Sequence, residues 1–438
     1  MITITPVQTL NAVVTVPGSK SLTQRALIAA ALADGSSRLH GPLASEDTSF
    51  TIQALRAMGI DCDDSDPACW LVHGRNGRIM EPGADIFLGN NGTATRFLTS
   101  VAALGHGRFR ITGNERMAQR PILPLIEALR GWRVDIVSDE GTGCPPLTLF
   151  SRGLAGGHTV LPEGRSSQYL SSLLLVAPYA VSPATLEVRG EILSQPYIAM
   201  TLSVMSDFGI RVEAAPDFSA FRIPQGRYQA RTYTIEGDAS GASYFWAAAA
   251  VTGGRVTVTN VPIPSLQGDT KLLAYLARMG CWIEQTDIGI TITGPEMLEG
   301  IEVDMGDMPD VAPTLAVVAA FAQGTTVIRN IAHLRIKECD RLSAVVTELR
   351  KMGAEVEEEE ARMIIHGRQG GANLHGAIIE TYDDHRIAMS FAVAGLRIPG
   401  VQISHEECVA KSFPDFWQRF GRMAEQENGE NCEEYRKC

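Results

Sequence analysis

The chain reads as an α/β protein of two similar domains, each of three β-α-β-α-β-β units, and three observations predict this. A helix-ending phrase recurs as Leu55-Arg56-Ala57-Met58-Gly59, Leu129-Arg130-Gly131, Met205-Ser206-Asp207-Phe208-Gly209, Leu276-Ala277-Arg278-Met279-Gly280, Leu349-Arg350-Lys351-Met352-Gly353 and Trp417-Gln418-Arg419-Phe420-Gly421. Its spacing is about 70 residues, longer than a solenoid repeat and long enough for a compact supersecondary unit. Around each copy a strand enters a Gly/Ser/Asp loop, an Ala-rich helix follows, and a short alternating strand leads to the amphipathic helix that carries the phrase. The composition, 45% hydrophobic and 20% charged with few aromatics, is that of a soluble α/β protein, and 438 residues exceed one ordinary core.

The balance of 38 Lys and Arg against 50 Asp and Glu, net −12, argues against sequence-independent nucleic-acid binding, which needs a cationic surface. No apolar run is long enough to span a bilayer. The eight cysteines are scattered, with no Cys-x-x-Cys pair and no His at metal-ligand spacing, so reduced thiols and no metal site are expected. Residues 1–4 run almost directly into strand-like sequence without a leader pattern, and the expected compartment is the cytoplasm.

The first loop of each unit joins a strand to a helix N-terminus, where unpaired backbone N–H groups can receive an anion. In the first, Pro17-Gly18-Ser19-Lys20-Ser21-Leu22-Thr23-Gln24-Arg25, Ser21 and Gln24 have capping-box spacing for a helix over 22–33 that Asp34-Gly35 closes. Lys20 sits at its positive end, and Arg25 shares a helix face with Ser21. A Walker-type loop is disfavoured because Ser19 separates Gly18 from Lys20. The second loop, 88–96, carries Gly89 and Gly92, which allow close backbone approach to a ligand, and Arg116 and Arg120 follow in the segment that Pro121 terminates. The third brings Ser166, Ser167 and Gln168 to a helix start, where a single serine would suffice as a cap. Ser194 to Tyr197 open the helix after it. The fourth, 237–243, has the same shape without a cation and reads as structural.

In the fifth loop Asp310 heads an apolar helix, where capping is one explanation. Lys337 and Arg341 flank Glu338 at a spacing that is repulsive if helical, and a bound anion would relieve it. Glu338 is then a candidate buffered acid, with screening by Glu338 or Asp340 as the plainer reading. The sixth loop, Thr381 to Arg386, adds Arg386, and Lys411 follows; His385 reads as a satisfied structural histidine.

Taken together, Pro17-Gly18-Ser19-Lys20-Ser21 with Arg25, Leu88-Gly89-Asn90 with Gly92-Thr93-Ala94 and Arg96, Arg116-Met117 with Arg120-Pro121, Ser166-Ser167-Gln168, Lys337-Glu338 with Asp340-Arg341, Asp384-His385-Arg386 and Lys411 resemble the 5-enolpyruvylshikimate-3-phosphate synthase family, the 3-phosphoshikimate 1-carboxyvinyltransferases of aromatic amino-acid synthesis. Nearly the whole chain participates. The resemblance implies one domain over 19–235, a second formed by 1–18 with 236–425, two crossings near 18–20 and 234–237, and a site in the interdomain cleft. The segment 426–438 is expected to be a frayed tail. Shikimate-3-phosphate would be held by Lys20, Ser21, Arg25, Ser166, Ser167, Gln168, Ser194, Asp310 and Lys337. Phosphoenolpyruvate would meet Lys20, Gly92, Arg120, Gln168, Arg341, Arg386 and Lys411.

The implied catalytic groups are Asp310 for the hydroxyl proton, Glu338 for proton transfer at the methylene carbon and Lys20 for electrostatic support or proton relay. No metal or organic cofactor is required, the partners are these small molecules, and a monomer is expected. Two positions depart from the family: His333 stands where many relatives place an Asn that touches shikimate-3-phosphate, and Phe97 follows Arg96 where relatives often carry Pro. The nearest alternative, the UDP-N-acetylglucosamine enolpyruvyl transferases, typically presents a catalytic Cys in a loop that here, Thr112 to Arg120, has none. A non-catalytic anion-binding repeat protein would leave Asp310 and Glu338 unused.

Overall fold

A computed structural model describes residues 1–425; the expected frayed tail, 426–438, lies outside the described residues. The helices are α1 (Lys20–Leu32), α2 (Glu46–Ala57), α3 (Gly92–Ala102), α4 (Leu123–Gly131), α5 (Ser167–Val176), α6 (Gln195–Asp207), α7 (Ala239–Thr252), α8 (Leu272–Arg278), α9 (Ala312–Ala319), α10 (Arg341–Lys351), α11 (His385–Gly395) and α12 (Phe416–Glu425). Ala-rich sequence that is apolar all round makes core helices, and every residue of α7 is buried. In α12, by contrast, only Phe416, Phe420 and Met423, one stripe, are buried.

The second unit shows the plan. Ile86–Phe87 pairs in parallel with His106–Thr112, which pairs antiparallel with Leu147–Arg152, and Asp135–Ser138 closes the sheet at its edge. The third and fifth units repeat this order from their own strands. The first and fourth borrow. Thr232–Thr234 supplies the parallel first strand beside Asp34–His40, while Asn11–Val14 lies beside Arg255–Val258. The sixth sheet is completed by Ile2–Thr3, antiparallel to Gln402–Ile403.

Buried apolar residues form two cores: one runs from Leu22 to Ile235, the other joins Ile4, Leu10, Ala12, Val14 and Val16 to residues from Ala239 to Met423. Each borrowed strand stays within its own half's sheet and core, and the halves are joined where the chain crosses twice. There Gly18 bridges Gly237, the Ser19 N–H donates to the Glu236 carbonyl at 2.8 Å, and the Asp238 N–H donates to Pro17 at 2.8 Å. Only glycine fits at 18, because a Cβ would lie 1.9 Å from the Gly41 carbonyl oxygen.

Several local expectations change. The cap of α1 is Ser19, whose Oγ accepts from the Leu22 N–H, and Gln24 instead turns inward to the Asp47 carbonyl and the Thr51 hydroxyl. Asp34 and Gly35 begin a strand rather than close the helix. Gly59, Gly209, Gly280 and Gly353 end helices with positive φ, but Gly131 and Gly421 lie inside α4 and α12. In the second unit the left-handed residue is Arg133, φ 64°. Gly131 is needed for packing instead, since a Cβ there would stand 2.1 Å from Thr159 Oγ1. The described cysteines are free, and among the described residues no helix is long and apolar enough to cross a membrane.

Candidate active site

The first helices of the three N-terminal units, α1, α3 and α5, pack on one another, as do α7, α9 and α11 of the other half. Their N-terminal ends bring the loops into one cleft. Lys20, Ser21, Arg25, Gly92, Arg120, Ser166, Ser167, Gln168, Ser194, Asp310, Lys337, Glu338 and Arg341 all line it. Arg386 lines the adjoining recess with Lys20 and Ser21, and its Nη2 donates to Asp310 at 3.0 Å. Lys411 enters from the C-terminal half to donate to the Asn90 carbonyl at 2.8 Å, with Asp47 at 3.5 Å.

Arg341, only 2% exposed, is the electrostatic hub of the C-terminal wall. Its guanidinium donates to Asp384 at 2.7 Å, to Glu338 at 2.7 Å and to Asp310 at 3.0 Å. The expected helical repulsion between Lys337 and Arg341 takes another form, because Lys337 ends a 3-10 turn, Ala332–Ile336, and Asp340 caps α10 between them. Asp310 likewise is no cap: it sits in the turn Pro309–Val311 and gives both carboxylate oxygens to arginines. Ser166 occupies the cap position of α5 without a side-chain capping bond, so capping does not explain the serine pair.

Burial by itself would raise both carboxyls of this wall. Arg386 and Arg341, with Lys337 and Lys20, nevertheless hold Asp310 below the ordinary carboxylate range. Arg341 and Arg120, with Lys411, do the same for Glu338. Both are anions here. Burial works against the cations: it brings the Lys337 ammonium down to about 8, with Asp310 pulling the other way, and lowers Arg25 to about 10. Arg120 and Arg386 have their Nε groups buried without a hydrogen-bond partner. An unpaired guanidinium N–H in a buried site costs free energy that an anionic ligand would recover.

The cleft also contains residues that the loop motifs did not single out as ligands. Asp47, 3% exposed, takes Lys20 at 3.1 Å and stands between it and Lys411. Tyr197 lines the cleft and reaches over the interface to donate to Asp269 at 3.3 Å. Thr93, Arg165 and Pro309 complete the lining. Asp384, fully buried, orients Arg341 and caps Arg386. Asp47 could have been sought as an acid opposite a lysine pair, but nothing local brings residue 47 to residue 411. Arg116 works through the chain, donating to the carbonyls of Lys337 at 2.9 Å and Glu338 at 3.0 Å from the other half.

The departures resolve physically. Phe97 is buried beneath Arg25, whose guanidinium lies 5.4 Å from the ring centroid. His333 is buried outside the cleft lining with neither ring nitrogen partnered, and burial and Lys337 lower it to about 3, so it is neutral. His385 is wholly buried, yet its ring nitrogens also lack hydrogen-bond partners, so it is not the satisfied histidine that its position implied. The fourth loop, read as structural, is held by Asp238, which caps Ser240, and by Gln267, which accepts from the Ala239 N–H, and its Asp238 and Ser240 also line the recess beside Arg386.

Residues 4–420 match the model of the EPSP synthase (3-phosphoshikimate 1-carboxyvinyltransferase) family. A 3-phosphoshikimate 1-carboxyvinyltransferase of Nostoc punctiforme is 45% identical over 95% of this chain and 97% of its own length. One from Syntrophobacter fumaroxidans is 44% identical over 96% and 99%. A solved EPSP synthase from Acinetobacter baumannii superposes with a TM-score of 0.81 at 29% identity, covering 96% of this chain and 97% of that one.

Proposed function

The chain belongs to the EPSP synthase family, and from that membership we propose how its cleft moves the enolpyruvyl group of phosphoenolpyruvate to the 5-hydroxyl of shikimate-3-phosphate and releases phosphate. The protein is a 3-phosphoshikimate 1-carboxyvinyltransferase. The reading of the site rests above all on one observation: cations carried by both halves, Lys20, Arg25 and Arg120 from one and Lys337, Arg341 and Arg386 from the other, converge on one cleft and its adjoining recess. Two small anions suit such a place, each charge-assisted contact contributing roughly 1.5 to 3 kcal/mol before desolvation.

In this scheme Ser166, Ser167, Gln168, Ser194, Arg25, Ser21 and Lys337 hold shikimate-3-phosphate, with Tyr197 beside them in the lining. Arg120, Arg341, Arg386, Lys411, Lys20 and the backbone at Gly92 take phosphoenolpyruvate. The 5-hydroxyl oxygen attacks C2 of the enol, its proton passes to or is oriented by Asp310, and C3 is protonated. Loss of a C3 proton then expels phosphate with cleavage of the C–O bond, restoring the enol. Glu338 is the group assigned to C3. Its arginine contacts keep it ionised in the free site, and a substrate anion that shares Arg120 and Arg341 would raise its proton affinity toward a useful value. The same competition at Arg341 and Arg386 would make Asp310 a better base. Because one chain supplies both walls, the scheme takes a monomer as sufficient.

Incubation with phosphoenolpyruvate and shikimate-3-phosphate is expected to release phosphate, and incubation with phosphoenolpyruvate and UDP-N-acetylglucosamine is not. The absence of release in the first would overturn this reading. The alternative sugar-nucleotide activity is not favoured by the family match or by the loop Thr112 to Arg120, which has no Cys.

A further inference from the structure

The loop that delivers Asp384 and Arg386 is held in an unfavourable backbone conformation. Tyr382 and Asp383 are consecutive non-glycine residues in the left-handed region, with φ of 54° and 53°. Each such residue is disfavoured relative to extended backbone, so the pair persists only if neighbouring contacts impose it. The contacts come from α10. Its residue Glu348, 0% exposed, accepts the Tyr382 hydroxyl at 2.7 Å and the Glu380 N–H at 3.1 Å, and is neutralised by Lys351 at 2.6 Å. Glu380 secures the same stretch by accepting the N–H groups of Thr381 and Tyr382.

Glu348 lies seven residues after Arg341, two turns along the same helix face. One face of α10 therefore grips the loop at both ends: Arg341 by the Asp384 carboxylate, Glu348 by the Tyr382 hydroxyl. Asp384 in turn caps Arg386, whose guanidinium reaches Asp310. Although Tyr382 is 37% exposed, its hydroxyl is directed into the protein. An idle surface tyrosine would not make a short hydrogen bond to a fully buried carboxylate.

We propose that Glu348 and Tyr382 are positioning residues for the transfer reaction, forming a strut that holds the left-handed pair Tyr382-Asp383 so that Asp384 aligns Arg341 and Arg386 on phosphoenolpyruvate. The inference rests on the assignment of those two arginines to that substrate. Without the strut the loop relaxes toward ordinary φ, Asp384 shifts, and both guanidinium groups lose their fixed orientation. The shikimate-3-phosphate contacts at the starts of α1, α5 and α6 lie on the other half of the cleft, away from this loop.

The test is steady-state kinetics of Tyr382→Phe, Glu348→Gln and the double variant Tyr382→Phe with Asp383→Gly, with Arg386→Lys as a control and thermal melts on all. Tyr382→Phe and Glu348→Gln are expected to raise the KM for phosphoenolpyruvate on the order of tenfold, with the KM for shikimate-3-phosphate within about twofold of the parent. Glycine reaches positive φ without steric cost, so Asp383→Gly should bring the KM of Tyr382→Phe back to within about twofold. A lowered melting temperature with unchanged KM, or a raised KM that Asp383→Gly does not restore, overturns the strut while Arg386→Lys still weakens phosphoenolpyruvate. An unaffected KM in Arg386→Lys overturns the underlying substrate assignment and the strut with it.

Discussion

At the scale of the residue, the proposed scheme gives the two carboxylates on the C-terminal wall separable duties. Removing either should spare binding and slow the chemistry: Asp310→Ala and Glu338→Ala are expected to lower kcat by on the order of 10² to 10⁴, measured by phosphate release, while calorimetric binding of shikimate-3-phosphate largely survives. Unchanged turnover would remove that residue from the mechanism. Gly92 is a steric matter. A Cβ there would stand 2.5 Å from Arg120 Nη2 and 2.9 Å from Arg96 Nη1. Gly92→Ala should therefore raise the KM for phosphoenolpyruvate severalfold by displacing a guanidinium and leave that for shikimate-3-phosphate near the parent value. Lys337 sets a pH limit, because burial brings its ammonium to about 8. The charge is present below that pH and lost above it, so kcat/KM for shikimate-3-phosphate should fall as pH rises through about 8. Lys337→Arg should move that alkaline limb out of range, and a limb that stays in place would assign it to another group.

At the scale of the element, the recurring glycine turns out to do two jobs. In α2, α6, α8 and α10 it ends the helix with a positive φ, as its sequence context indicates. In α4 it admits Thr159, whose hydroxyl bonds the Ala128 carbonyl at 2.6 Å, and in α12 no atom lies within 4 Å of the space a Cβ would fill. These two positions should respond oppositely to alanine. Gly131→Ala is expected to destabilise by about 1 to 3 kcal/mol through overpacking, whereas Gly421→Ala is expected to stabilise by about 0.5 to 1 kcal/mol through helix propensity. Denaturant titration distinguishes them, and equal signs would contradict the packing argument. The helix starts were less legible than the helix ends. Ser19 and Ser21 both precede the apolar run, and only the crossing at Gly18, which fixes the backbone at Ser19, selects the cap.

At the scale of the whole molecule, the two halves join at the crossing, where Gly18 bridges Gly237, and share charges across the cleft. Lys411 is the clearest example: it belongs to the C-terminal half but binds Asn90 and Asp47 of the other. Lys411→Met should raise the KM for phosphoenolpyruvate roughly tenfold to a hundredfold. It should also shrink the rise in melting temperature that both substrates together produce, because a contact joining the halves is lost. A normal KM would exclude Lys411 from the substrate's shell. What the sequence by itself determined was the repeat, the α/β class and the cation-bearing loops that meet at the cleft, because hydrophobic periodicity, glycines and clustered cations are properties of contiguous residues. Lys20, Ser166 to Gln168, Lys337 and Arg341 were visible for that reason. Only the tertiary structure decided that Asp47 lies between two lysines, that Tyr197 meets Asp269, that Asp384 orients Arg341, and that Glu348 braces Tyr382. Each of these pairs is made by folded-chain geometry between distant segments, and no local pattern encodes which buried carboxylate a given cation or hydroxyl will meet.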